Sequence, residues 1–362
     1  MKANCDFFAG YPITPASTVF QYMLDLVPAT GGVATQGEDE IASMGLCIGA
    51  AMAGSKAMTA TSGPGISLIS ENIGLAFIGE TPMVIVNVQR QGPATGSATK
   101  GAEGDILFTR WGTSGGLPVI ALSPASAGEC YALTYRAFNL AERYRVPVFV
   151  LSSKEIGLTR ETVDLEAIEL PPPEARKRPE PGAKGEPIYL PHGFRAPAEV
   201  PALADFGGQV IARATTSTHD QAAYLTADPA VIQEMIDHYT AKIEAAAEEI
   251  ALVEADLPKG AEVLVVSYGV TARAARLAVR EARARGVKAG QLTLRTLYPV
   301  PERALKAAMA GVRKVVVPEM NMGQYVREVE RLAPAGVEVL GVNRMDTTLI
   351  SPAEIAAQGG LA

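Results

Sequence analysis

The sequence predicts an α/β protein, with a parallel sheet wrapped by helices followed by a second, smaller α/β unit. Three observations predict it. Short Val- and Ile-rich runs alternate with longer helical stretches from the start to about residue 153, the pattern of a parallel sheet covered on both faces. A stretch rich in Pro, Gly and charge, from about residue 170 to 200, interrupts that alternation. The alternation returns from about residue 261.

Taken in order, Phe7-Phe8-Ala9-Gly10 reads as a strand running into a turn, with almost nothing before it. Helices are expected over Ala16 to Leu26, Glu40 to Ala53, Ser67 to Ile78 and Ser126 to Tyr144. Met83 to Val86, Pro118 to Ala121 and Val146 to Val150 read as buried strands. Pro171-Pro172-Pro173 and Arg178-Pro179-Glu180-Pro181-Gly182 mark a connector laid over a surface. Asp228 to Val253 reads as one long helix with its charges on one side. Val263 to Val266 is a strand, Thr271 to Arg285 a helix closed by Gly286, and Gln291 to Leu297 and Arg313 to Pro318 are further strands. The resulting division is 1–165, a connector 166–258, and 259–362.

Bulk properties narrow the classes. A chain of 362 residues exceeds one ordinary core. Its net charge of -7 argues against non-specific binding of nucleic acid. Cys5, Cys47 and Cys130 are far apart, and three thiols cannot ligate a four-cysteine cluster. Only His192, His219 and His238 are present, so no metal site is expected on this chain. No apolar run of about 18 residues and no signal peptide is visible, and a reduced cytoplasmic setting is expected.

Two places carry chemistry. Gly37-Glu38-Asp39-Glu40 stands between a strand and a helix that is apolar almost all round. Acids at a helix start can simply complement its dipole. An acid at the first turn of a buried helix, however, stands at the edge of a dry region where its proton affinity can be tuned. Thr59-Ala60-Thr61-Ser62-Gly63-Pro64-Gly65 is a strand ending in a turn that starts a helix. Glycines there let backbone approach a ligand, although a tight turn without a ligand reads the same way.

Together these features resemble the pyrimidine-binding domain of thiamine-diphosphate enzymes. In the acetolactate-synthase-like members a glutamate opens a small-residue helix and a strand leads to A-T-S-G-P-G, which Ala60 to Gly65 repeat letter for letter. The resemblance selects Glu40 over Glu38 and implies that Ser62, Gly63, Pro64 and Gly65 bind the cofactor. Its chemical logic is that a carboxyl hydrogen-bonded to N1′ of the aminopyrimidine favours the imino tautomer, which deprotonates C2 of the thiazolium. Gly10-Tyr11-Pro12-Ile13-Thr14-Pro15-Ala16-Ser17 is almost identical to the Y-P-I-T-P-S run of 2-oxoacid:ferredoxin oxidoreductase alpha subunits. Gly79-Glu80-Thr81-Pro82, Gln89 to Gly96, Tyr298-Pro299 and Pro318 to Gln324 also look like that family. The implied fold is a pyrimidine-binding domain followed by a transketolase-C-like domain.

That resemblance implies a role for Thr14 facing the thiazolium and the substrate carboxylate, the alternative being an ordinary helix cap. Lys100 stands where 2-oxoglutarate-using members carry arginine, keeping the charge but losing the fork. Thr109 is expected to line the same pocket. The implied reaction converts a 2-oxoacid and coenzyme A to acyl-CoA and CO2, with two electrons passing to ferredoxin. A second anionic group favours 2-oxoglutarate, with pyruvate or a branched-chain 2-oxoacid as alternatives. The chain lacks the family's G-N-E-A helix and its G-D-G motif, Gly104-Asp105-Ile106 being only a distant likeness, and Thr218-His219-Asp220 carries no assigned role. A beta partner is therefore expected to hold the diphosphate, Mg2+ and a 4Fe–4S cluster, with gamma and ferredoxin-like delta subunits beside it. Two other readings remain: an acetolactate-type decarboxylase, against which the Y-P-I-T-P run stands, and a non-catalytic scaffold subunit, against which Glu40 and Thr14 stand.

Overall fold

The computed structural model describes residues 1–180 and 189–361; Pro181 and Gly182, at the end of the proline-rich run, lie outside the described residues. The first part runs β1 (Phe7–Gly10), α1 (Ser17–Ala29), β2 (Val33–Gln36), α2 (Glu40–Met52), β3 (Ala57–Thr61), α3 (Gly63–Leu68), α4 (Ser70–Ile78), β4 (Met83–Gln89), α5 (Ile106–Trp111), β5 (Ile120–Leu122), α6 (Ala127–Tyr144), β6 (Pro147–Ser153) and a single turn, α7 (Lys154–Gly157). After the connector come α8 (Pro229–Glu244), α9 (Ala247–Ile250), β7 (Val253–Asp256), β8 (Val263–Tyr268), α10 (Thr271–Ala284), β9 (Ala289–Leu294), β10 (Thr296–Tyr298), α11 (Glu302–Met309), β11 (Lys314–Glu319), α12 (Val326–Leu332), β12 (Glu338–Asn343) and α13 (Pro352–Gly359).

The strands form two sheets. The first has the order β10-β5-β6-β4-β3-β1-β2 and is parallel except for β10. The second has the order β12-β11-β8-β9-β7 and is parallel except for β7. In the middle of the first sheet β3, β4 and β6 are buried over their whole length, as strands covered on both faces must be.

The structure corrects the sequence reading at four places. Gln291 to Leu297 is two strands. The chain bends at Arg295, whose carbonyl accepts from Ser123 N at 2.8 Å, and β10 crosses to pair antiparallel with β5. Asp228 to Val253 is not one helix: α8 stops at Glu244 and Val253 opens β7. Thr296 Oγ1 fixes that exit by accepting from Leu252 N at 3.0 Å and donating to Ile250 O at 2.8 Å. The helix expected over Ser67 to Ile78 is α3 and α4, separated at Ile69. The strand expected from Pro118 starts only at Ile120, the first residue there that pairs with β6.

The connector, expected to lie over a surface, is docked by buried polar groups. The Arg176 guanidinium pairs with Glu142 at 3.0 Å and donates to Ala51 O at 2.6 Å. Glu80, fully buried, accepts from His238 Nε2 at 2.9 Å, lies 2.7 Å from His192 Nδ1, and pairs with Lys242. His238 and Lys242 are on α8, so one face of that helix carries buried charge instead of presenting it to solvent. Among the described residues no helix is long and apolar enough to cross a membrane.

Candidate active site at the strand ends of the first sheet

Parallel strands present their C-terminal ends on one edge, and helix starts gather there with them. β1 leads to Thr14, β2 to Glu40, β3 to Ser62 and β4 to Arg90. Gly37 N donates to Gly10 O at 3.0 Å, which holds the first two of these ends side by side.

The acids before α2 divide their tasks. Asp39 is the N-cap, its carboxylate accepting from Ala42 N at 2.7 Å. Glu38 is exposed, and Glu40 is buried at 8% exposure. The following turn packs against it. A Cβ added at Gly65 would collide with Thr61 Oγ1 and come within 2.9 Å of Glu40 Oε1, so glycine is required there. Ser62 caps α3 in extended conformation but accepts no capping bond. Its hydroxyl and that of Thr61 are buried without a partner among the described residues. Buried polar atoms are normally paired, so two orphan hydroxyls beside a buried carboxyl, in a cradle kept open by glycine, fit a polar heterocycle such as an aminopyrimidine.

Arg90 is the residue that sequence reasoning missed. It is 7% exposed, and its Nη1 donates to the carbonyl of Thr14 at 2.5 Å. Burial lowers the pKa of its guanidinium, and the charges of Glu40 and Asp105 oppose that shift. Asp105 was also missed. Its carboxylate accepts from Asn87 Nδ2 at 2.9 Å and lies over the Gly63 turn. Burial raises its pKa, against the pull of Asn87 and Arg90. The signal available in the sequence was an arginine directly after an apolar strand, which does not by itself show burial.

The structure thus brings Thr14, Glu40 and the Ser62–Gly65 turn together around Arg90. Lys100 and Thr109 stand apart. Lys100 is exposed at the end of a loop closed by Gln91 N on Lys100 O at 2.9 Å. Thr109 is buried, and its hydroxyl donates to Asp105 O at 2.8 Å. Among the described residues no hydrogen bond joins either side chain to Glu40, Thr14 or Arg90.

Comparison with known proteins places the chain in a family. Residues 1–238 match the family described as pyruvate flavodoxin/ferredoxin oxidoreductase, thiamine-diphosphate-binding. The chain belongs to this oxidoreductase family. Residues 261–355 match its core domain II. The 2-oxoglutarate synthase subunit KorA of Methanothermobacter thermautotrophicus is 41% identical, over 98% of this chain and 93% of its own length. The solved 2-oxoglutarate:ferredoxin oxidoreductase of Magnetococcus marinus, with 2-oxoglutarate, coenzyme A and succinyl-CoA bound, superposes with a TM-score of 0.89 at 31% identity. The match covers 98% of this chain and 61% of that one. A split-gene transketolase in an inactive tetrameric form shares the fold, with a TM-score of 0.56 at 14% identity.

Proposed function

We propose that this family member is the subunit of a 2-oxoacid:ferredoxin oxidoreductase that contributes the aminopyrimidine half of a thiamine-diphosphate site. The favoured reaction takes 2-oxoglutarate and coenzyme A to succinyl-CoA, CO2 and a proton, with two electrons passing singly to two oxidised ferredoxins. The observation that carries this reading is the buried Glu40 carboxyl against the Ser62–Gly65 turn, with two hydroxyls left unpaired beside it.

Thiamine diphosphate, when bound, supplies the nucleophile and the electron sink that loss of CO2 from a 2-oxoacid requires. Glu40 would hold the pyrimidine through N1′, and its burial would keep water from competing for that bond. The unpaired hydroxyls of Ser62 and Thr61 would be free to hydrogen-bond the ring. Arg90, with its Nε unpartnered among the described residues, takes the substrate carboxylate next to Thr14. Lys100 is the cation assigned to the second carboxylate of 2-oxoglutarate, which its exposed loop would have to close inward to meet, and Thr109 is assigned to the same pocket from the Asp105 helix.

The sequence has no G-D-G motif and too few cysteines for a cluster. The diphosphate, Mg2+ and the iron–sulfur cluster therefore belong to a beta partner, joined by gamma and ferredoxin-like delta subunits in the cytoplasm. That partner covers α2, where Ile41 and Leu46 are each 44% exposed beside Glu40. The test is Glu40→Ala in the reconstituted complex, read by 2-oxoacid-dependent reduction of a viologen dye across a panel of 2-oxoacids. Loss of at least a hundredfold in rate is expected, and near wild-type turnover sinks the assignment.

A further inference from the structure

The segment on either side of Asp105 is held from the second sheet. Asn321 Nδ2 donates to Glu103 O at 2.9 Å, and Glu103 N donates to Met320 O at 2.8 Å. Gln324 Nε2 donates to Gly104 O at 2.6 Å, while Leu107 N donates to Gln324 Oε1 at 3.0 Å. Val270 N donates to Glu103 Oε1 at 2.8 Å. Asn321 is fully buried and is itself fixed, its Oδ1 accepting from Gly323 N and Gln324 N, each at 2.9 Å. The loops after β8 and β11 therefore act as a clamp, closed on a stretch that otherwise belongs to the first sheet.

What the clamp holds in place is a carboxylate. Asp105 N donates to Gln89 Oε1 at 3.0 Å, and Asp105 Oδ2 accepts from Asn87 Nδ2 at 2.9 Å, so it is pinned to the end of β4 next to Arg90. A Cβ added at Gly63 would lie 3.3 Å from Asp105 Oδ2, which puts the carboxylate over the turn that faces Glu40. Arg90, buried and bonded to Thr14 O, feels the charge of both Glu40 and Asp105, and among the described residues it forms a close ion pair with neither. With Glu40 alone, a guanidinium would close onto that carboxylate as a forked pair. Such a pair would occupy both the acid meant for the pyrimidine and the cation meant for the substrate.

We propose that Asp105 is a positioning residue: held by Asn321 and Gln324 of the second sheet, its carboxylate balances Glu40 across Arg90 and keeps the guanidinium free to bind the substrate's carboxylate. This rests on the reading of Arg90 and Glu40 given above. It also gives the Pro318–Gln324 run a task in substrate binding, although it belongs to the other sheet.

The test is Asp105→Asn in the reconstituted complex, a change that removes the charge and keeps the size. KM for the 2-oxoacid should rise on the order of tenfold or more, the worth of a hydrogen bond to a charged group. The calorimetric Kd of the 2-oxoacid for the cofactor-free complex should weaken by a similar factor. Thiamine-diphosphate affinity and the thermal midpoint should stay near wild type. Asp105→Glu should recover part of the KM, and Gln324→Ala, which opens the clamp, should raise it. An active complex in which Asp105→Asn leaves both KM and Kd unchanged overturns the proposal. So does a variant that loses only kcat and thermal midpoint, the signature of a folding role. Dye reduction by the wild-type complex is the control that separates failure of this inference from failure of the assigned function.

Discussion

At the scale of single residues, Glu40 is distinguished from its neighbours by what surrounds it rather than by its charge. Asp39 spends its carboxylate on Ala42 N, Glu38 faces solvent, and only Glu40 turns into the protein. Gly65 makes that arrangement possible, because any side chain there meets Thr61 Oγ1 and the Glu40 carboxyl. Gly65→Ala should cost about 1–3 kcal/mol by overpacking and should weaken thiamine-diphosphate binding at least about tenfold as Glu40 is displaced. Thermal denaturation and cofactor titration of the complex measure the two effects, and an affinity within twofold of wild type would contradict the cradle. The place of Glu40 at the start of a buried helix was legible in the sequence because both flanking elements are local and carry a recognisable order. Arg90 was not, since its burial depends on the Thr14 carbonyl, 76 residues away in the chain. Asp105 was seen only as part of a poor likeness to a diphosphate motif, because nothing local announces its bond to Asn87.

At the scale of elements, the central strands and the longer amphipathic helices were readable, as Met83–Gln89 and Ala127–Tyr144 show. The failures lie where tertiary partners decide. Thr296 bonds the exit of α9 and ends a stretch whose Ala and Glu content otherwise favours helix. The connector was read by composition as a surface layer, yet it supplies His192 to a buried cluster around Glu80. Burial holds the Glu80 pKa up, but Lys242, Arg145 and the two histidines outweigh burial and leave it well below the ordinary carboxylate range. Burial is the largest influence on His192 and takes it down to about 4 from 6.5, against the pull of Glu80. Below pH 6.5 the unfolded chain gains a proton at His192 that the folded chain refuses until about pH 4. Stability tied to this residue is therefore present above pH 6.5 and is lost as pH falls through that window, by roughly 3 kcal/mol in full. Urea midpoints between pH 7 and pH 5 should fall in the wild type and fall less steeply in His192→Gln. Parallel slopes would remove His192 from the acid limb.

At the scale of the whole molecule, the two sheets are joined more closely than an alternating sequence pattern reveals. β10 leaves the second half to pair with β5, and residues 103–107 leave the first sheet's edge to bond the loops after β8 and β11. Both crossings use short segments with no period of their own, so a reading built on apolar periodicity assigns them to whichever half they lie in. Between the halves sits Glu103, fully buried, with Gly269 leaving room for its carboxyl. Burial pushes its pKa up to about 8, Val270 N draws it back, and Glu155 and Glu319 add to the rise. The sign is opposite to that of His192. Glu103 contributes fully while protonated, below its ordinary value of 4.5, and its contribution is lost as pH rises through about 8. By pH 8.5 the loss is on the order of 4 kcal/mol, and it falls on the bonds that connect the two sheets. Glu103→Gln keeps an acceptor for Val270 N but cannot ionise. Its unfolding free energy should match wild type near pH 5 and exceed it by a few kcal/mol at pH 8.5. Denaturant titrations at the two pH values decide the matter: a difference that does not grow with pH would mean that the carboxyl ionises freely in the folded protein, and that the junction between the sheets gains nothing from its proton.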